Sequence, residues 1–312
     1  MLNEYAIEPR IMGSDFHLFS LLHGYFGIER GRVIAQFPKQ WSRLVFEAAK
    51  TAEMREVDYL RLVERLKSIK SETLCRSGRS YDPELGGWLA NAINAHATKP
   101  FHAIIAPDNA VSHPSIIDMS EFDPASDLMV AEASQEVKRT ATDLTECLAT
   151  LLRMANDVTL VDPYFEIFSP RYIEPLRHFL GTLSNVASPA KKIKIHRRYD
   201  GQANDLNVIR ANAVNELQGV IPQGYSVEVF EWEQLPGGHD IHDRYLLCDC
   251  GGVSIGAGFS EEGDHELALV SLLSNTVVQN LRNRYREGSG AYRLAKPVLL
   301  IDENCNVVER TN

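Results

Sequence analysis

"VTLVDPYF", residues 158–165, is a short apolar run closed by Pro163, and "SPRYIEPLRHFLGTLS" (169–184) follows it with apolar residues at helical spacing despite Pro175. The first is too short for a helix and reads as a buried strand, the second as the helix that crosses back over it. Working outward, "KRTATDLTECLATLLRMAND" (138–157) is an amphipathic helix before the strand. After it come "KKIKIHRRYD" (191–200) as strand, "DLNVIRANAVNELQGV" (205–220) as helix and "YSVEVFEWE" (225–233) as strand. A β-α-β-α-β order implies a largely parallel sheet covered by helices. The pattern then changes. "IHDRYLLCD" (241–249), "GVSIGAG" (252–258) and "HELALVSLL" (265–273) read as three short strands in quick succession, ahead of the helix "NTVVQNLRNRYREG" (275–288).

Upstream, the segment 108–135 contains no Lys or Arg, several turn formers and six acidic residues, and reads as irregular connection between two differently patterned halves. The expected division is residues 1–135 and 136–312. In the first half, "PKQWSRLVFEAAKTAEMREVDYLRLVERLKSIK" (38–70) predicts two helices, with Pro38 in a first turn. "DPELGGWLANAINAH" (82–96) predicts another from Pro83, and "PFHAIIA" (100–106) a short buried strand. The fold class expected is therefore α/β throughout: a C-terminal mixed sheet flanked by helices, preceded by a separate α/β N-terminal domain. His96, His102 and His113 have no metal-ligand spacing and read as structural histidines. Arg76 and Arg79 in "RSGRSYD" (76–82) read as part of a polar loop rather than an anion site.

The chain has 312 residues, of which 44% are hydrophobic, enough to fill one large core or two ordinary ones. No run reaches the roughly 18 apolar residues of a membrane span, and the N-terminus lacks a signal-peptide layout, so a cytoplasmic location is expected. Five scattered cysteines suit reduced thiols better than a disulfide framework. A net charge of −10 argues against non-specific coating of nucleic acid, which needs a broad basic surface. It leaves room for a local basic cleft. Positive charge concentrates at Lys191, Lys192, Lys194, Arg197 and Arg198 and again at Arg282, Arg284, Arg286 and Arg293, read here as solvated surface ahead of phosphate contact.

The densest polar stretch is "GGHDIHDRYLLCDCGG" (237–252). On a strand, Asp240, His242 and Arg244 share a face, while His239 and Asp243 point elsewhere. Zinc would need three or four converging ligands. His239 and His242 stand at a spacing useful on a helix, and Cys248 and Cys250 have no second cysteine pair, so no metal and no cofactor is expected. An imidazole beside a fixed guanidinium suits phosphate chemistry instead.

Downstream spacing carries that reading further. From His242 the chain gives H-x-R, four residues, Asp249, six residues, then Gly256-Ala257-Gly258-Phe259, with Glu266 ten residues past Gly256. This resembles the phospholipase D superfamily motif, H-x-K-x(4)-D-x(6)-G-S-x-N followed by an acidic residue about that far on. The likeness extends over roughly residues 140–290, from the strand at 158 to the strand and helix at 265–288. It departs from the family at Arg244, which replaces lysine, and at Ala257 and Phe259, which replace serine and asparagine. Ser254 and Ser260 lie close enough in sequence to substitute, and Gly256 and Gly258 would let backbone N–H groups approach an oxyanion.

The resemblance implies a metal-independent phosphodiesterase, most simply a nuclease, in which His242 forms a phosphohistidine, Glu266 orients it, and Arg244 and Asp249 complete the motif. "HRRYD" (196–200) has H-x-R but Ala203 where an aspartate would be needed, and His196 reads as a core-edge histidine. A single motif implies a homodimer in which two sites face one another, with nucleic acid or another phosphodiester as substrate. The alternative is a degenerate module that binds a phosphate-bearing ligand or protein partner without turnover. Residues 1–135 lie outside the resemblance, and the sequence assigns them no role; recognition or partner docking, of the kind found in bacterial defence or toxin proteins, is a third reading that no particular residue carries.

Overall fold

The computed structural model describes residues 1–69, 73–185, 190–201 and 205–310. Lys70, at the end of the second expected helix, and Ala203 lie outside the described residues. The chain divides into two compact units, Met1–Ala133 and Ser134–Asn312.

In the first unit the described elements are β1 (Asn3–Ile7), α1 (Pro9–Ser14), α2 (Phe16–Tyr25), β2 (Arg32–Gln36), α3 (Trp41–Thr51), α4 (Glu56–Ser68), β3 (Leu74–Arg76), α5 (Trp88–Thr98), β4 (Ala103–Ala106) and β5 (Ile116–Asp118). The strands pair in parallel in the order β3-β2-β1-β4-β5. Alternate side chains feed two cores. Tyr5, Ile7, Ile34 and Ile105 pack with α1 to α4, whereas Ala6, Ala35, Ile104 and Ala106 pack with α5. β5 lies inside the stretch expected to be irregular: "IID" completes an edge strand that local composition hides.

Two expectations for this unit shift by half a turn or more. The helix expected from Pro83 starts at Trp88, because Asp82 Oδ1 accepts the Glu84 N–H at 2.9 Å and Gly86 and Gly87 take φ of +87° and +105°, which a helix cannot accommodate. Pro38 lies in the turn before α3, whose Trp41 N–H meets the Pro38 carbonyl at 2.8 Å. Arg79 is internal rather than part of a solvated polar loop. It is salt-bridged to Glu4 at 2.7 Å, donates to the carbonyls of Lys99 and Pro100, and lies over the Phe101 ring.

The second unit runs β6 (Ser134–Arg139), α6 (Ala141–Met154), β7 (Val158–Val161), α7 (Pro170–Asn185), β8 (Lys192–Arg198), α8 (Leu206–Glu216), β9 (Ser226–Gln234), β10 (Tyr245–Cys248), β11 (Gly252–Ile255), β12 (Gly263–Leu272), α9 (Asn275–Arg284), β13 (Tyr292–Leu294), β14 (Val298–Asp302) and β15 (Val307–Arg310). Its mixed sheet has the order β15-β14-β9-β8-β7-β10-β11-β12-β6, with β13 paired to β9. β7, β8 and β9 are parallel; β10, β11 and β12 form an antiparallel meander beside β7, and β6 pairs antiparallel with β12. The crossovers through α6, α7 and α8 all progress the same way across the sheet, so the right-handed rule puts the three helices on one face.

α9 covers the other face, where Leu281 and Tyr285 pack on Val161, Phe230, Trp232 and Leu247. The expected α6 helix begins three residues late because Thr140 caps it, its hydroxyl accepting the Asp143 N–H at 3.0 Å and leaving Lys138 and Arg139 in β6. Past α9, where the resemblance ends, β13, β14 and β15 extend the sheet beyond β9.

Candidate active site

Polar side chains converge at the carboxyl end of β7, the edge toward which parallel strands direct their loops. Asp162 follows β7 directly and is 1% exposed. Its Oδ1 accepts the Tyr164 N–H at 3.0 Å and its Oδ2 the Phe259 N–H at 3.2 Å; Arg244 Nε stands 3.9 Å from Oδ1. Burial pushes this carboxyl above the usual aspartate range, while the two N–H groups, Arg244 and Arg139 pull it back. Gly258 takes φ +84°, and a Cβ there would lie 2.5 Å from Asp162 Oδ2 and 3.3 Å from Arg244 Nε. Glycine is what lets the 256–260 loop close over the carboxylate.

His242 and Arg244 precede β10, which starts at Tyr245, so both belong to the approach to the strand rather than to the strand itself. His242 is exposed, with Nδ1 2.6 Å from Asp243 Oδ1; the other oxygen of Asp243 accepts the Tyr245 hydroxyl at 2.8 Å. Burial and that carboxylate together push the Tyr245 hydroxyl up, keeping it a donor. With the Asp243 carboxylate beside Nδ1, Nε2 is the ring nitrogen left to face a substrate. Arg244 lies over the Tyr164 ring at 5.3 Å and reaches the Gly256 carbonyl at 3.4 Å. Arg198 lies over the same ring at 5.5 Å and approaches Asp240 at 3.9 Å. The half-exposed Tyr164 ring thus stands between two guanidiniums, each held loosely enough to take a phosphate oxygen.

Arg139, at the end of β6, donates to the buried Ser260 hydroxyl and sits 3.4 Å from both the Ala257 carbonyl and Glu262. Glu262 also meets Arg171 at 3.1 Å. Pro175 has a part in this arrangement. With no N–H, it leaves the Arg171 carbonyl without its helical donor, and the Glu261 N–H takes that carbonyl at 2.7 Å, tying the loop to α7. Phe259 is fully buried, with its ring against Phe179 and Phe165. At this position the chain supplies core packing and a backbone N–H rather than a side-chain amide.

Of the residues expected from sequence, the structure gathers Arg244, Gly256, Gly258 and Ser260 around Asp162, with His242 two residues before Arg244. Asp249 is elsewhere. It follows β10, about 16 Å along an extended chain from Arg244, and accepts from the Asn156 N–H and Nδ2 and the Asp157 N–H at 2.7, 2.6 and 3.2 Å. Ser254 pairs with Tyr245 in the middle of β11. Glu266 is exposed on β12, between Gly263 and Leu267, where the register with β6 shifts. The carboxylate in contact with His242 is Asp243. Asp162, Tyr164, Asp243 and Arg139 were missed as site residues. Asp243 was visible as the neighbour of His242, but the Asp162 to Arg244 contact spans 82 positions and leaves no trace in spacing.

His196 is buried in the sheet. Its Nδ1 accepts the Trp232 Nε1–H at 2.9 Å, its ring stacks on Phe230 at 4.4 Å, and burial drives its pKa down to about 3. Cys248 and Cys250 are buried free thiols. Among the described residues no group of three His, Cys, Asp or Glu is placed to hold a metal ion, and no helix is long and apolar enough to cross a membrane.

No family model matches the chain, and no curated protein matches it. Among solved structures, it is similar to TrmBL2, an archaeal chromatin protein described as showing a novel mode of DNA binding. The likeness is 12% identity and a TM-score of 0.26, over 56% of this chain and 57% of that one. The chain thus spans little more than half of that protein, and a score so low carries no argument about fold or function.

Proposed function

We propose that the second unit is a phosphodiester hydrolase of the phospholipase D kind, acting on nucleic acid through His242. The observation that supports it best is the Asp243 carboxylate on His242 Nδ1, at 2.6 Å, which leaves Nε2 as the nucleophilic nitrogen two residues from Arg244. In the reaction, Nε2 attacks phosphorus and the P–O bond to the leaving oxygen breaks. Arg244 and Arg198 balance charge on the non-bridging oxygens, and the Tyr164 ring offers a face to a base. The leaving oxygen needs a proton, which the His242 of a second copy supplies as imidazolium; water then attacks the phosphohistidine and restores the imidazole. The motif occurs once, so the dimer is part of the proposal. Leu267 and Leu269, half-exposed on β12 beside the edge strand β6, give apolar surface for it.

The test compares wild type with His242→Ala on single- and double-stranded DNA and RNA in EDTA. Cleavage should survive EDTA and fall at least about a hundredfold in the variant, the lower range for loss of a general acid or base. Activity that vanishes with EDTA, or that His242→Ala leaves unchanged, would overturn it.

A second reading, phosphate binding without turnover, is favoured by Phe259, whose buried ring leaves no side-chain amide at the phosphate. Under that reading the same experiment yields no product at high protein concentration, while Arg244→Ala still weakens binding of the oligonucleotide.

A further inference from the structure

We propose that a groove on the α9 face of the second unit's sheet is a binding site for a phosphate monoester, distinct from the His242 site. It encloses about 560 Å³ between α9 and the surface of β7, β8 and β9, within the range of roughly 300–1,000 Å³ typical of small-molecule sites. It lies toward the opposite end of β7 from Asp162: Asp157, just before the strand, is in its wall, whereas Asp162 follows the strand.

Its charge is unbalanced. Lys192, Lys194, Arg282, Arg286 and Arg310 line it against the carboxylates Asp157, Glu228 and Glu287. Five cations against three anions leave +2 in a chain whose net charge is −10. The pairing is correspondingly stretched. Lys192 meets Glu228 at 2.9 Å and Arg310 meets Glu287, but Asp157 serves both Lys194 at 2.7 Å and Arg282 at 3.2 Å. Arg282 Nη1 is buried with no acceptor among the described residues.

A phosphate monoester supplies what is lacking. It brings about −1.5 to −2 charges and three strong acceptors, which match the surplus of +2 among the cations that line the groove. Beneath the groove His196 and Phe230 are buried and stack on each other at 4.4 Å, with the Tyr285 ring edge-on to His196 at 5.6 Å and Arg310 over Phe230 at 5.9 Å. His196 adds no charge there, because burial keeps it neutral. AMP is the probe of this class, since it carries the monoester on a body that fits the volume of the groove.

Calorimetric titration of the full-length protein in EDTA with AMP, inorganic phosphate and adenosine tests this. AMP and phosphate should bind and adenosine should not. Tighter binding of AMP than of phosphate adds a contact to the nucleoside, and equal binding assigns recognition to the phosphate alone; either supports the site. Arg282→Gln should weaken AMP by about tenfold or more, the scale of a charge-assisted hydrogen bond, and Arg286→Gln, at an exposed position of the rim, by several-fold. His242→Ala should leave the affinity unchanged. Should Arg282→Gln fail to fold, Arg286→Gln carries the test.

The proposal fails if neither ligand binds, if both arginine variants bind AMP like wild type, or if His242→Ala abolishes binding, which would move the ligand to the other site. Cleavage that His242→Ala leaves unchanged, or that EDTA abolishes, with AMP binding intact and dependent on Arg282, would sink the hydrolase reading and leave this one standing.

Discussion

Gly258 shows how tightly the 256–260 loop is fitted to Asp162. At φ +84° any side chain carries the left-handed penalty of about 1–2 kcal/mol, and here its Cβ would also press to 2.5 Å on a buried carboxylate oxygen that already accepts the Phe259 N–H. Gly224 has a similar φ of +77° with open space around it. Gly258→Ala should therefore lose about 2–5 kcal/mol, the left-handed penalty plus an overpacking cost, and Gly224→Ala only about 1–2 kcal/mol. Urea unfolding of the two variants measures the difference; equal losses would mean the loop yields at no cost. The His242 and Arg244 pair was legible from sequence, because H-x-R-x(4)-D is a local pattern. Asp162, which the fold sets beneath them, was not, because a contact over 82 positions exists only once β7 and β10 have paired.

Among elements, Asp249 shows how a motif position acts through architecture. Its carboxylate accepts two backbone N–H groups and one side-chain N–H from Asn156 and Asp157, and so joins the end of β10 to the start of β7. Asp249→Ala leaves those donors to water and should cost about 2–3 kcal/mol, within the usual range for hydrogen bonds to a charged group. Because the His242 end of β10 is about 16 Å away along the strand, thermal unfolding should drop by several degrees while cleavage per folded molecule at low temperature stays near wild type. A loss of turnover without loss of stability would return Asp249 to the chemistry. Strand and helix order in the second unit was legible because apolar periodicity changes cleanly between 2 and 3.6. Boundaries were less so, since they depend on groups such as the Thr140 cap, the Asp82 turn and the Arg171 carbonyl freed by Pro175. The strands past α9 and the edge strand β5 are short and take their pairing from neighbours distant in sequence.

For the whole molecule, the buried histidines set how stability responds to acid. The core of each unit is its own, and each unit holds histidines whose pKa burial lowers: His23, His96 and His102 in the first and His196 in the second. A depressed histidine is neutral in the fold but takes a proton near pH 6.5 once unfolded, so its contribution is complete above about 6.5 and is lost as pH falls toward the folded value. Asp162 and Glu8 have the opposite sign: burial raises their carboxyls, so their contribution grows as pH drops through the raised values toward the ordinary carboxylate range. His196 is the most exacting case, because β8 pairs with both β7 and β9, and protonation would put a charge between Phe230 and the Trp232 donor, in the middle of the sheet. Between pH 6.5 and 5 it should cost the second unit about 2 kcal/mol. His196→Phe keeps the stacking, loses the Trp232 hydrogen bond, and should lower stability at pH 7 while flattening that slope. Urea unfolding of wild type and variant, read at pH 7, 6 and 5, gives the two slopes, and equal slopes would remove His196 as the acid-sensitive point of the sheet.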